Sequence, residues 1–316
     1  MDTMKAVRAH HRGGPEQLVF EQAPRPESAR GEVLVAVHAA SITPDELTWE
    51  DTWTEQHGPD RRDRTPIIPS HELSGVVATL GPGVAGIEVG DEVYGLIPFV
   101  RDGAAAEFVS VPADVLAGKP TTVDHDAAAS IPLAALTAWQ ALVDHATLRA
   151  GQQVLVHGAA GGVGSFAVQI AADLGARVTA TARAADRAFV RGLGAADVVD
   201  YEHDRFENRI ADVDVVIDPV GGPTQARSWS VLRPGGVLVS VAAAPDPDQA
   251  ARRSARGVFF VVEPDRGQLE TIAGLVDDDR ITPIVDHVMP LAETRAAYES
   301  LRTRHRQGKV VLHVAG

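Results

Sequence analysis

The segment Val154-Leu-Val-His-Gly-Ala-Ala-Gly-Gly-Val-Gly164, followed by Ser165 to Leu174, constrains the fold more than any other part of the chain. An apolar strand runs into a glycine-rich turn, and the turn opens directly into an apolar helical stretch. That order is the context in which a Gly-x-Gly-x-x-Gly pattern binds a dinucleotide pyrophosphate. Gly161 would let the backbone approach the pyrophosphate, and Gly164 would allow close packing of helix on sheet. Gly162 and Val163 complete the turn, whose free N–H groups and positive helix end suit phosphate. Ala159 stands where the fingerprint has its first glycine, so the motif reads Ala-x-Gly-x-x-Gly here.

The surroundings agree with this reading. Apolar strands at 153–157, 177–181, 197–199, 213–217, 236–241 and 258–262 alternate with helical stretches. Continuous apolar strands separated by helices predict a parallel sheet covered on both faces. The earlier part is different. Residues 31–38, 73–80 and 108–111 alternate in the manner of half-buried strands, separated by turn formers such as Gly81-Pro-Gly83 and Gly90-Asp91. Between them, residues 46–64 are polar, carry Trp49 and Trp53, and read as a helix or mobile loop. Helices are expected at 124–129, 133–144 and 269–277, and a strand of the earlier style returns at 309–314. The expected organisation is a nucleotide-binding α/β domain over 123–262, inserted into a β-rich domain made of 1–122 and 263–316. Trp49 and Trp53 are expected as core anchors or as an apolar substrate wall.

Composition narrows the function. The 316 residues carry a net charge of −14, which repels a nucleic-acid backbone. Short basic patches, Arg61-Arg62 and Arg302 to Arg306, do not change that balance. No apolar run reaches the ~20 residues a membrane helix needs. The mixed, charged start Met1 to Arg12 lacks a signal-peptide core, so a cytoplasmic protein with no membrane partner is expected. There is no cysteine, which excludes disulfides, thiolate catalysis and thiolate zinc sites.

The second strand of the α/β part ends at Thr181-Ala182 without the carboxylate that holds an NAD ribose. Arg183 and Arg187 follow instead, and paired guanidiniums suit the 2′-phosphate of NADPH. Asp186 stands against this, as a cap for the next helix or a partner for Arg183.

From end to end the chain resembles the medium-chain dehydrogenase/reductase superfamily, in its zinc-independent, quinone-oxidoreductase-like branch. The resemblance rests on Gly31-Glu-Val-Leu-Val, Gly75-Val-Val, Gly90-Asp91-Glu-Val-Tyr-Gly95, Gly103-Ala-Ala-Ala-Glu107-Phe, Pro132-Leu-Ala-Ala-Leu-Thr137-Ala, Gly158 to Gly164, Asp218-Pro-Val-Gly-Gly222, Arg233-Pro-Gly-Gly236 and Gly308-Lys-Val-Val-Leu. It implies a GroES-like β-rich catalytic domain carrying a Rossmann domain, a homodimer, and NADPH-driven reduction of quinones or enones in an interdomain cleft. It further implies that Gly161, Gly162, Val163 and Gly164 hold the pyrophosphate and that Arg183 and Arg187 hold the 2′-phosphate. Tyr201 matches an adenosine contact and Thr137 a residue packed on the nicotinamide. Val241, with Phe260 to Val262, matches strand-end backbone that holds the carboxamide, and dimerisation is expected through the 258–262 edge.

Zinc alcohol dehydrogenases of the superfamily use a Cys, a His followed by Glu, and a second Cys. Only His71-Glu72 remains here, with Thr43 near the first thiolate position, so no metal is expected. Branch members often carry Asn-Pro-x-Asp, where this chain has Thr43-Pro44-Asp45-Glu46. Thr43 keeps a hydroxyl donor, and Tyr94 is a second candidate donor to the substrate oxygen. A non-catalytic NADPH sensor and a pathway-specific enoyl reductase are the alternatives.

Overall fold

The computed structural model describes residues 2–55, 62–303 and 305–315. Part of the 46–64 segment and single members of both basic patches, Arg61 and Arg304, therefore lie outside the described residues. Along the chain the strands are β1 Thr3–Ala9, β2 Leu18–Pro24, β3 Glu32–Ile42, β4 Glu72–Leu80, β5 Glu92–Leu96, β6 Phe108–Pro112 and β7 Leu116–Gly118, followed by helices α1 His125–Ala129 and α2 Pro132–Trp139. Next come β8 Gln153–Val156, α3 Gly162–Asp173, β9 Arg177–Ala182, α4 Arg187–Gly192, β10 Asp197–Asp200, β11 Val213–Asp218, α5 Gly222–Ser228, β12 Leu232–Ser240, α6 Pro247–Arg252 and β13 Arg256–Phe259. The last elements are α7 Arg266–Asp277, β14 Val285–Pro290, α8 Thr294–Thr303 and β15 Lys309–His313. Two compact units result. One holds Met1–Leu133, Glu263–Asp277 and Pro283–Gly316, the other Ala134–Val262 and Asp278–Thr282.

The second unit is a six-stranded sheet in the order β10-β9-β8-β11-β12-β13, with every neighbouring pair parallel. This is the doubly wound order, whose direction reverses between β8 and β11. Val154 to Val156 and Val215 to Ile217 are buried, as strands covered on both faces must be. Phe166, Ala167, Ile170 and Ala171 give α3 its buried face. Two expectations are adjusted. The edge strand stops at Phe259 rather than 262, because its register partner β12 ends at Ser240, opposite Phe259. The helix expected over 133–144 is α2, and its last part, Gln140–His145, widens into π-helical turns.

In the same unit His157 is completely buried against the Phe206 ring, with centroids 4.8 Å apart. Ser228 donates its proton to the Thr224 carbonyl at 2.7 Å, so His157 Nε2–H donates to Ser228 at 2.8 Å. Nδ1 is then the acceptor facing the Thr181 hydroxyl at 3.0 Å. Burial holds this neutral ring down to a pKa of about 4.

The first unit is built on β3. Its first half pairs with β6 and its last four residues with β15, both antiparallel, while β4 runs along the other side. The sheet order is β14-β15-β3-β4-β5-β7. Val33, Val35, Val37, Leu73, Val77, Val93 and Leu116 form the core beneath it. The hairpin β1–β2, strand β14 and helix α8 add to the elements expected from sequence, although Gly13-Gly14-Pro15 marks the turn between β1 and β2. Of the two tryptophans, Trp53 is a core anchor, buried and donating to the Leu47 carbonyl at 2.9 Å. Trp49 is half-buried, edge-on to Phe99.

Candidate functional site

The carboxyl ends of the parallel strands in the second unit gather most of the expected cofactor residues. The chain leaves β8 through His157 and turns at Gly158, whose φ of +58° suits only glycine without strain. Ala159 N–H is tied to the Thr181 carbonyl of β9 at 3.1 Å. Gly161 is the N-cap of α3, and Gly161, Gly162 and Val163 remain partly exposed. A methyl group on Gly164 would fall 2.7 Å from the Gly158 carbonyl carbon and 2.8 Å from Ala159 Cα. Gly164 is therefore the residue that lets α3 start against the turn. At Gly161 the nearest atom to an added methyl is the Gly158 oxygen at 3.4 Å, so that face of the turn is open. The fingerprint reading overlooked Gly158; its place directly after an apolar strand was the available signal.

Just beyond β9 and β10 the sheet brings Arg183 and Tyr201 together, with Arg183 Nε donating to the Tyr201 hydroxyl at 3.0 Å. Glu202, which the sequence reading missed, sits 3.2 Å from the same Nε and competes for the guanidinium. Arg187 opens α4 and is exposed. Asp186 is buried, and its side chain makes no capping bond to α4, which removes one of the roles weighed for it. Val241 follows β12 and donates its N–H to the Asp218 carbonyl at 3.2 Å. Phe260, tilted against the His145 ring with centroids 4.4 Å apart, and buried Val262 lie past the end of β13. Thr137 is buried on α2, outside this row of strand ends.

The polar residues of interest in the first unit form two buried clusters. Register sets the first. Ser41 of β3 faces Glu72 of β4, and Ile42 faces Val310 of β15, so Thr43, Glu72 and Lys309 converge at one end of β3. Lys309 Nζ donates to Thr43 Oγ1 at 2.9 Å and, over a very short contact, to Glu72 Oε1. Glu72 Oε2 accepts the Leu133 N–H at 2.8 Å, and Thr43 donates weakly to Glu72 at 3.3 Å. In the second cluster Glu46 accepts from His71 Nδ1 at 2.5 Å, Ser70 N–H at 2.8 Å and the Tyr298 hydroxyl at 2.7 Å. His71 Nε2 faces the Arg101 carbonyl at 3.0 Å and donates to it, so both ring nitrogens are engaged. Burial alone would raise the Glu46 carboxyl; the His71 bond and charge, with Tyr298 and Ser70, outweigh it and hold it below the ordinary range.

Tyr94 is a correction. Its hydroxyl is fully buried on β5 and donates to the Leu269 carbonyl at 2.6 Å, so it has no proton to offer a substrate. Glu46 and Lys309 were visible only inside motifs and were given no role of their own, and Tyr298 was overlooked. Lys309 did carry a signal, being one of three lysines in the chain and opening an apolar strand. The donors also do not fit a catalytic zinc ion. Both His71 nitrogens already face protein partners, Glu72 is taken by an ammonium, and no thiolate exists. Among the described residues the one trio spaced to hold a metal is Asp200, Glu202 and His203, in the other unit. Asp200 and Glu202 there already pair with His203 and Arg183. No helix among the described residues is long and apolar enough to cross a membrane.

A doubly wound sheet with a glycine turn and strand-end arginines, joined to a GroES-like sheet, defines a nicotinamide-dependent oxidoreductase. Residues 29–121 match the alcohol dehydrogenase GroES-like domain and residues 193–312 match the zinc-binding dehydrogenase family. A probable zinc-binding oxidoreductase, mitochondrial, of Arthroderma benhamiae is 33% identical over 92% of this chain and 91% of its own. The NADPH-dependent alkenal/one oxidoreductase, chloroplastic, of Arabidopsis thaliana is 31% identical over 98% of this chain and 79% of its own. Among solved structures, the quinone oxidoreductase from Coxiella burnetii superposes with a TM-score of 0.90 at 30% identity, over 99% of this chain and all of that one. The chain belongs to the medium-chain dehydrogenase/reductase superfamily.

Proposed function

We propose that this oxidoreductase uses NADPH to reduce a quinone or a C=C bond conjugated to a carbonyl, without zinc. The observation that carries the reading is the row of glycine turn, Arg183–Tyr201 pair, Val241 and Phe260 along the carboxyl ends of one parallel sheet. Ligands of open α/β sheets bind at that edge, beside the point where strand order reverses. Gly161 to Gly164 would receive the pyrophosphate on the N–H groups of α3, and Arg183 and Arg187 the 2′-phosphate, with Tyr201 beside the adenosine. The backbone at Val241, Phe260 and Val262 would hold the carboxamide, and Thr137 would pack on the nicotinamide. When bound, the reduced cofactor supplies the hydride. Thr43 donates a hydrogen bond to the carbonyl oxygen as negative charge develops there.

Two features favour the zinc-free reading: the occupied His71 ring and the ammonium paired with Glu72. A homodimer is proposed through the free edge of β13, where Phe259 and Val261 are exposed; light scattering that finds only monomer removes it. The function is tested by following reduced-nicotinamide absorbance with a panel of quinones, enones and enals, NADPH and NADH in parallel, with and without chelator. NADPH-driven turnover unaffected by chelator is expected. Tight NADPH binding with no turnover across the panel would sink the reductase assignment in favour of a sensor.

A further inference from the structure

Lys309 has no part in the reaction as drawn so far, yet it is buried in contact with the hydroxyl assigned to the substrate oxygen. Its side chain is 6% exposed. The ammonium reaches Thr43 Oγ1 at 2.9 Å, whereas the bond from Thr43 to Glu72 is stretched to 3.3 Å. A hydroxyl oxygen that accepts from a cation releases electron density from its own O–H, and becomes a stronger donor to a third group. Among Thr43, Glu72 and Lys309 only Thr43 is more than marginally exposed. Its O–H therefore swings from Glu72 to an arriving oxygen while the Lys309 bond stays in place.

We propose that Lys309 is a positioning residue: it polarises the Thr43 hydroxyl and through it stabilises the charge that develops on the carbonyl oxygen of a quinone or enone. The proposal rests on the reductase reading given above. Glu72 serves it as an anchor. One carboxylate oxygen pairs with the ammonium and the other is pinned by Leu133 N–H, so a buried cation is balanced and aimed at Thr43. The two-electron reduction adds one hydride and one solvent proton to the substrate. Thr43 and Lys309 end each turnover with the protons they began with.

The test is a double-mutant cycle with T43V, K309M and T43V/K309M, plus K309R as a conservative rescue. K309M is expected to lower kcat about 10- to 100-fold, with KM and NADPH affinity held within about threefold, because a preorganised donor acts mainly in the transition state. K309R should recover most of the loss, and K309M should cost T43V little more. Since K309M leaves Glu72 without its cation, K309M/E72Q is made alongside and must show the same kcat loss if K309M does not fold. A K309M loss as large in T43V as in the wild type, or one confined to stability, would overturn the proposal. A second readout needs no turnover: the ionised fraction of bound 4-nitrophenol, an oxyanion probe, with NADP+ present. It should fall in K309M and T43V and fall no further in the double variant; an ionised fraction in K309M equal to that of the wild type overturns the role of Lys309. Wild-type protein that polarises the phenol but reduces no quinone or enone would sink the reductase reading and leave the Lys309 assignment standing.

Discussion

Replacing Gly161 by alanine separates binding from folding at the glycine turn. Gly161 has φ −78° and ψ 178°, extended backbone that alanine adopts without strain. Its new methyl meets only the Gly158 oxygen, at 3.4 Å, which is ordinary contact. The cofactor-free variant should therefore keep its stability to within about 1 kcal/mol, the usual range for exchanging glycine and alanine at an N-cap. The methyl nevertheless stands on the open face of the turn, where a pyrophosphate would approach the α3 amides. Losing one charge-assisted hydrogen bond there costs about 1.5–3 kcal/mol, or roughly 10- to 150-fold in Kd. Gly164→Ala behaves differently. Its methyl runs into the backbone of Gly158 and Ala159, which cannot swing aside, so overpacking of about 1–3 kcal/mol appears even without cofactor. The assay is urea unfolding with and without NADPH, beside a fluorescence titration of NADPH. NADPH at 100 times its Kd adds about 2.7 kcal/mol to the wild type by mass action. At that same concentration Gly161→Ala should lose between about half and nine-tenths of the increment. A Gly161→Ala protein that binds NADPH like the wild type would refute the placement of the pyrophosphate on this turn.

The 2′-phosphate assignment predicts that R183A/R187A weakens NADPH about 10- to 100-fold while leaving NADH nearly unchanged; an equal loss for both cofactors would show that the arginines do not read the phosphate. His157 should supply part of the acid sensitivity. Unfolded, it takes a proton near its ordinary 6.5, but folded only near 4, so stability present above pH 6.5 is lost as pH falls through that window, by about 3 kcal/mol. H157Q should flatten the stability profile between those values, and parallel profiles would sink the attribution. Tyr94→Phe should cost about 1 kcal/mol through the orphaned Leu269 carbonyl and leave kcat unchanged, since its proton is committed to backbone. A drop in kcat without loss of stability would return Tyr94 to the active site.

The inserted parallel sheet was legible because its signals are local: apolar runs, helices between them, and glycines at one turn. Arg183 could be named from a strand end and Tyr201 from the family resemblance, but their hydrogen bond required knowing that β9 and β10 are neighbours. The first unit hides more. Thr43, Glu72 and Lys309 are far apart in sequence and meet only because β15 lies antiparallel on the last residues of β3. No periodicity in one chain announces that pairing. Tyr94 looked like a donor because tyrosines are scarce here. Its partner is a backbone carbonyl of α7, and backbone acceptors leave no trace in residue type. Glu46 was legible only as a departure from a familiar motif. Its role came from Ser70, His71 and Tyr298 closing on both of its oxygens.

The charges of the first unit bear on which reaction it can support. Glu46 and Glu72 are buried carboxylates: Glu46 is held by His71, the Tyr298 hydroxyl and the Ser70 N–H, and Glu72 by the Lys309 ammonium, the Thr43 hydroxyl and the Leu133 N–H. Removing His71 or Lys309 strands a buried charge, a strongly destabilising change. The arrangement is thus complete as it stands, and a metal entering it would have to displace the Lys309 ammonium and break the His71 bond to Arg101. On the reading proposed above, what it would offer a substrate is correspondingly mild: one hydroxyl, with a cation behind it. A hydrogen bond of that kind stabilises charge spread over a conjugated system but does not ligate a localised alkoxide as a Lewis acid would. Reduction of an enone or quinone delocalises the new charge over several atoms, whereas alcohol oxidation requires an alkoxide concentrated on one oxygen. If Thr43 is the substrate donor, as proposed, a donor set of Thr43, Lys309 and Glu72 suits the first of these reactions better than the second.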